Sequence, residues 1–159
     1  MTTYTIHGTD HRIIPAEAIA WAREKLVPKL DDPWRGRFLD ALKHLDANPV
    51  KCERQPNGTY RAAFRSHRHA EVEWYATEQD CTCTAGRTGK TCWHRAACIV
   101  LRQVDRWEKN ELRKQFKVVY VAGVWGLKFN DTPVQGVSFD SFDDAVQGVK
   151  LSIEAVFTS

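Results

Sequence analysis

The stretch Cys81-Thr82-Cys83-Thr84-Ala85-Gly86-Arg87-Thr88-Gly89-Lys90-Thr91-Cys92-Trp93-His94 places three thiols and one imidazole within fourteen positions. Thiolate and imidazole are the donors that zinc selects, and four of them closing a tetrahedron is the arrangement of a structural site. In an extended segment, residues two apart point the same way, so Cys81 and Cys83 can turn both sulfurs to one ion. Cys92 and His94 stand where the next helix begins and can fill the other two positions. Gly86 and Gly89 lie in the loop between and let the two pairs meet.

Working outward from this loop, the preceding segment alternates or is rich in strand formers over Val50–Arg54, Tyr60–Arg65 and Glu71–Ala76. Pro56-Asn57-Gly58 is a strong turn signal between the first two, so a three-stranded antiparallel meander is expected to deliver the chain to Cys81. The following segment predicts a helix from Trp93 to Gln115. Trp93, Ala97, Val100, Leu101, Val104 and Trp107 form its apolar side. Arg95, Arg102, Arg106, Lys109 and Arg113 form a band opposite, partly offset by Asp105.

Residues 1–49 predict two helices. Pro15 opens one, with Ile19, Trp21, Ala22, Leu26 and Leu30 near helical spacing. Asp32 with Pro33 caps the second, faced by Trp34, Phe38, Ala41, Leu42 and Leu45, and Asn48-Pro49 ends it. Residues 118–159 predict short strands at Val118–Ala122, Trp125–Phe129 and Val134–Phe139. A helix follows, capped by Ser141 with Asp144, with Phe142, Val146, Val149, Ile153 and Val156 as its buried stripe. The expected fold class is α+β: N-terminal helices (1–49), a small antiparallel sheet with a zinc-stabilised ββα finger and a long basic helix (50–117), and a C-terminal ββ(β)α unit (118–159).

C-x-C, a variable loop and C-x-H, after a strand and before a helix, resemble the SWIM-type zinc finger over about residues 70–105. That family is known from Mutator-like transposases and recombination-mediator proteins. The resemblance implies a short sheet followed by a helix around a zinc ion held by Cys81, Cys83, Cys92 and His94. It also implies a module that binds DNA or other proteins. The flanking regions carry no such resemblance, so the wider role is not inherited from it.

Composition narrows the classes. No apolar run among the 159 residues approaches the ~20 needed to cross a bilayer. The opening MTTYTIHGTDHR has no charged-then-apolar export pattern, so a cytoplasmic location is expected, or a nuclear one in a eukaryotic host. Five cysteines in such a chain argue for metal over disulfides. Cys52 and Cys98 are left over and read as small buried apolar residues, Cys98 also as a spare ligand one helical turn past His94. The net charge of +3 is uneven: residues 49–117 hold fourteen basic and eight acidic side chains, while residues 118–159 hold two and five. A polyanion would therefore meet the middle segment. The expected contacts are Arg87, Lys90, Arg95, Arg102, Arg106, Lys109 and Arg113, with DNA expected before RNA and a protein partner as the competing reading. Neither a membrane nor a small-molecule substrate is expected.

Two motifs are decoys. Thr84 to Thr91 approach the phosphate-binding G-x-x-x-x-G-K-[ST], but Thr84 stands where the first glycine belongs and metal ligands bracket the loop. His67-Arg68-His69 lacks a carboxylate partner pattern and reads as a solvent-facing or phosphate-contacting turn. Four protein ligands leave zinc no open position for water, and the deaminase pattern is absent, so no enzyme is expected.

Overall fold

A computed structural model describes residues 11–69 and 71–158. The first ten residues, most of the stretch read for an export signal, lie outside the described residues. The chain is mixed helix and sheet and forms two compact units that divide between Trp107 and Glu108.

The first unit is built on an antiparallel sheet, β1 (His11–Arg12), β2 (Val50–Arg54), β3 (Tyr60–Arg65) and β4 (Glu73–Ala76), in that spatial order. The meander from β2 to β4 is the expected one, and Gly58 turns it with a positive φ of 78°. Thr59 donates from its amide to the Asn57 side chain at 3.0 Å, closing the turn. Register sets Cys52 beside Ala62 and Ala62 beside Ala76 on one face, with Lys51, Ala63 and Tyr75 on the other. The apolar face is covered by α1 (Ala16–Leu26), α2 (Asp32–Ala47) and α4 (Trp93–Lys114). Ala18, Ala22, Leu42, Leu45, Val100 and Leu101 are among the residues that close this core. The N-terminal helices thus share one core with the sheet and the metal loop.

Four details differ from expectation. The cap of α2 is Asp31, not Asp32: the Asp31 side chain accepts from the Trp34 amide at 3.4 Å, and Asp32 and Pro33 occupy the first two helical positions, where proline costs nothing. Pro15 caps α1 in extended conformation rather than entering it, and a short 3-10 turn, Val27–Lys29, leaves Leu30 beyond the helix. β1 adds a fourth strand. Asp105 does not offset the basic band. It is 4% exposed and takes Tyr60 Oη at 2.6 Å, Arg54 Nε at 2.9 Å and Arg12 Nη1 at 3.2 Å. That carboxylate ties β1, β2 and β3 to α4.

In the second unit, β5 (Phe116–Val121) and β6 (Val124–Phe129) make a hairpin, and β7 (Thr132–Pro133) adds two residues. The expected strand over Val134–Phe139 is not formed. Asn130 and Asp131, both at positive φ, turn the chain so that Thr132 and Pro133 pair with β6. Gly136 then turns it again, and Phe139 alone returns as a bridge to Trp125. Ser141 caps α5 (Phe142–Thr158) as expected, accepting from the Asp144 amide at 3.1 Å. The buried stripe of α5 is Ala145, Val149 and Ile153, whereas Phe142 and Val156 are exposed. Large residues mislead the phase here, because a small one holds the closest packing position.

Candidate metal centre

Cys81 leaves the sheet through a tight turn. The Thr77 amide donates to the Asp80 carbonyl at 2.8 Å, and the Thr77 hydroxyl accepts from the Gln79 and Asp80 amides. Cys81 then bridges back to Ala76. Thr82 holds the next residue pair open: its amide donates to the Tyr75 carbonyl and its hydroxyl accepts from the Tyr75 amide, both at 2.9 Å. With Thr82 clamped to the strand in this way, Cys81 and Cys83 fall on the same side.

The intervening loop has less freedom than expected. Cys83 caps a single helical turn, α3 (Thr84–Arg87), and its sulfur accepts from the Gly86 amide at 3.3 Å. The Cys83 amide in turn points at the Cys81 sulfur at 3.4 Å. Backbone N–H groups aimed at sulfur favour the thiolate, the form that binds metal. Gly89, at φ 71°, reverses the chain after α3. Cys92 then supplies the carbonyl that accepts the first α4 bond, from Ala96 at 3.3 Å, which places His94 in the first turn.

These elements bring the three sulfurs and one imidazole nitrogen to within 4.8 Å of one another. Metal–ligand bonds of about 2.0–2.3 Å give tetrahedral edges of about 3.3–3.8 Å, so a small contraction closes the set on one ion. All four residues are buried, between 4% and 7% exposed. The His94 ring lies 4.0 Å from the Trp93 ring and 5.2 Å from that of Phe64, and its Nδ1 is buried with no hydrogen-bond partner among the described residues. A buried imidazole nitrogen without a partner is costly, and a cation would supply what it lacks.

The electrostatics point the same way. The Cys92 thiol is held well below its usual range, first by a hydrogen bond from Cys81, then by His94 and the Arg95 amide. Cys81 is pushed up, because it is the donor to Cys92 and is itself buried. Without a cation the cluster concentrates negative charge on one sulfur, and further thiolates are opposed by that charge. A divalent ion removes the opposition. The residues therefore fit a metal ion.

Cys98 is not a spare ligand. It is fully buried, its thiol donates to the Ala76 carbonyl at 3.4 Å, and burial pushes its pKa up. No disulfide links the five cysteines.

The basic residues fall into two groups. Arg87, Lys90, Arg106 and Arg113 are exposed. Arg95 donates to the Glu78 carbonyl at 3.1 Å and lies over the Trp34 ring, and Arg102 pairs with the Glu78 carboxylate at 3.2 Å. Lys109 pairs with Glu154 at 2.7 Å. α4 is buried almost all round from His94 to Asp105, so Arg95 and Arg102 are half-buried. Sequence reasoning does not single out Thr82, Glu78 or Phe64 as supports of the centre. Gly86 is the available signal, since a glycine inside a ligand loop often marks close backbone approach.

No helix among the described residues is long and apolar enough to cross a membrane. Compared with known proteins, the chain matches no family model, no curated protein and no solved structure.

Proposed function

We propose that this chain is a non-enzymatic zinc-finger module of SWIM type that binds nucleic acid, DNA in the first instance. The supporting observation is the buried Cys81, Cys83, Cys92 and His94 cluster, whose four donor atoms lie within 4.8 Å of one another. Arg87 and Lys90 lie on the turn between the two ligand pairs, and Arg106 is exposed on α4. A tetrahedral site without a vacancy has no place to activate water, so the metal acts through the fold it holds. The ligand order and the strand-before, helix-after context support the SWIM reading. Nothing on this surface offers a base-reading pattern, so affinity rests on phosphates and specificity is weak.

The test is binding of zinc-loaded protein to labelled duplex and single-stranded DNA across salt. A dissociation constant that rises steeply with salt supports the reading. Arg87→Ala with Lys90→Ala should flatten the slope by about one for each phosphate no longer neutralised. Binding at low salt that is absent, or indifferent to salt, overturns it.

A second reading is favoured by one feature of the second unit. Tyr120, Val121, Val124 and Phe142 are all exposed, and the Trp125 ring lies 4.9 Å from that of Tyr120 and 5.3 Å from that of Phe142. Exposed aromatic and aliphatic groups together suit a protein-docking surface, with zinc purely structural. Co-purification of a partner that is lost on Tyr120→Ser with Phe142→Ser, without loss of fold, would support it.

A further inference from the structure

Beside the metal centre the first unit carries an open cleft of about 710 Å³, lined among others by Arg37, Ser66, Arg68, His69, Trp74 and Trp93. Cys83, Cys92 and His94 also line it, and since these are buried they make its floor. Among the described residues no aspartate or glutamate lines it, whereas Glu73 and Asp40 line the two neighbouring clefts around His44. Its volume is in the range of clefts that take small ligands, about 300–1,000 Å³.

The cations of this cleft differ from those of α4. Arg68 is exposed on the turn between β3 and β4 and has no acidic partner among the described residues. Among the described residues Arg37 has only a long contact to Asp40 at 3.7 Å, both side chains about half exposed. Arg95, Arg102 and Lys109, by contrast, already have partners. The aromatic groups differ too. Trp93 lies between His44, 4.6 Å away, and His94, 4.0 Å away, and is committed to that stack. Trp74 is half-buried, and no ring stacks on it among the described residues.

We propose that this cleft binds single-stranded nucleic acid, with a base stacked on Trp74 and the adjoining phosphates held by Arg68 and Arg37. The inference deepens the nucleic-acid reading above and depends on it. Charge sets the orientation: three thiolates around one divalent ion leave the floor with a net charge of −1, so phosphates are held at the arginine rim. An indole in a cleft wall can receive only an unstacked base, and the bases of a duplex are already stacked on one another. Arginine beside an aromatic platform in a groove that tracks the backbone is the usual means of gripping a single strand without reading its sequence.

The test uses full-length, zinc-loaded protein, an oligothymidine strand of about ten nucleotides, roughly the site size of one small binding domain, and a duplex of the same length. Tryptophan quenching and fluorescence anisotropy report binding, and the cobalt(II)-substituted absorption spectrum reports that the metal centre is intact. The expected result is preference for the single strand, with Trp74→Leu weakening it roughly tenfold, Trp74→Phe retaining most of it, and Arg68→Ala weakening it several-fold. Since Arg68 is exposed on a turn, its variant keeps the test open if the Trp74 variants misfold. Single-strand binding indifferent to Arg68→Ala overturns the inference. So does duplex binding that depends on Arg87, Lys90 and Arg106 with no single-strand preference, although the nucleic-acid reading then stands. Binding of a phosphopeptide in preference to the strand also overturns it. Absence of any nucleic-acid binding at low salt sinks both.

Discussion

Gly86 sits directly against Cys81, so that a Cβ added to it would run into the Cys81 carbonyl oxygen and stand 2.7 Å from the Cys81 Cβ. The turn of α3 can deliver the Cys83 sulfur only because this position has no side chain. Gly86→Ala should therefore push α3 off the ligand pair. A cost of about 1–3 kcal/mol is expected for inserting a methyl group into a filled space. Thermal melts of the metal-loaded protein check the stability. Cobalt(II) titration should show weakened binding, and an unchanged melt and titration would refute the close packing. Gly89→Ala is a different case: no atom lies within 4 Å of the added Cβ, and its cost comes from the positive φ alone, about 1 kcal/mol.

Removal of the metal should unfold the surroundings of the centre. Structural zinc contributes on the order of 10–16 kcal/mol in small modules near neutral pH. That matches or exceeds the ~5–15 kcal/mol net stability of a whole domain. Chelation should abolish the near-ultraviolet dichroism of Trp93 and Trp74, and elemental analysis should find one zinc per chain. Cys92→Ser and His94→Ala should lower the stoichiometry, while Cys98→Ser should leave it unchanged, because the Cys98 thiol is directed to Ala76. A chelated protein with an unaltered spectrum and melt would refute a structural metal.

How much of this is legible from residues alone follows from how local each signal is. The ligand set is legible because its chemistry occupies fourteen consecutive positions, and the meander because Asn57-Gly58 and alternating strands act over a few residues. β1 is not legible: two residues carry no period, and what secures Arg12 is Asp105, 93 positions away. The band on α4 is legible as a row of charges but not as a set of partners, since Glu78 and Trp34 reach Arg95 and Arg102 only through the tertiary fold. The phase of α5 is hard to place because Ala145 is fully buried yet adds little to an apolar pattern. At Asp31 and Asp32, either of two adjacent acids can begin a helix, and only the backbone conformation distinguishes them.

The network around Asp105 predicts an alkaline transition. Burial pushes the Tyr60 phenol well above its ordinary value of 10.0. Its hydrogen bond to Asp105 adds to this, and the Arg12 charge works against both. A group whose folded pKa is raised contributes stability that is present below its unfolded pKa and lost as pH rises through the folded value. Stability should therefore fall above pH ~10. Urea unfolding across that range should show the fall in the parent protein and a smaller one in Tyr60→Phe. Asp105→Asn should cost about 3 kcal/mol at neutral pH, because it removes the buried carboxylate that Arg12, Arg54 and Tyr60 share.

In the second unit, the controlling approach is between Gly148 on α5 and Phe139. A Cβ on Gly148 would stand 2.8 Å from Cε1 of the Phe139 ring and closer still to Cζ. The ring lies there because Phe139 is bonded in both directions to Trp125, through Phe139 N at 2.8 Å and Trp125 N at 3.2 Å. That bridge fixes the Phe139 backbone, and the ring itself packs against the core of the second unit. Two effects of opposite sign act on Gly148→Ala. Alanine at a helical position gains about 1 kcal/mol over glycine, and overpacking loses about 1–3 kcal/mol. The clash is with a bulky ring packed against the core of the second unit, so the loss should win and the melt of the second unit should move down. Gly148→Ala combined with Phe139→Leu provides the control: a branched aliphatic side chain vacates the space, and part of the loss should return. Because Gly148 and the metal ligands belong to different units, the cobalt(II) spectrum should not change in either variant. A Gly148→Ala protein at least as stable as the parent would show that α5 does not depend on this close approach.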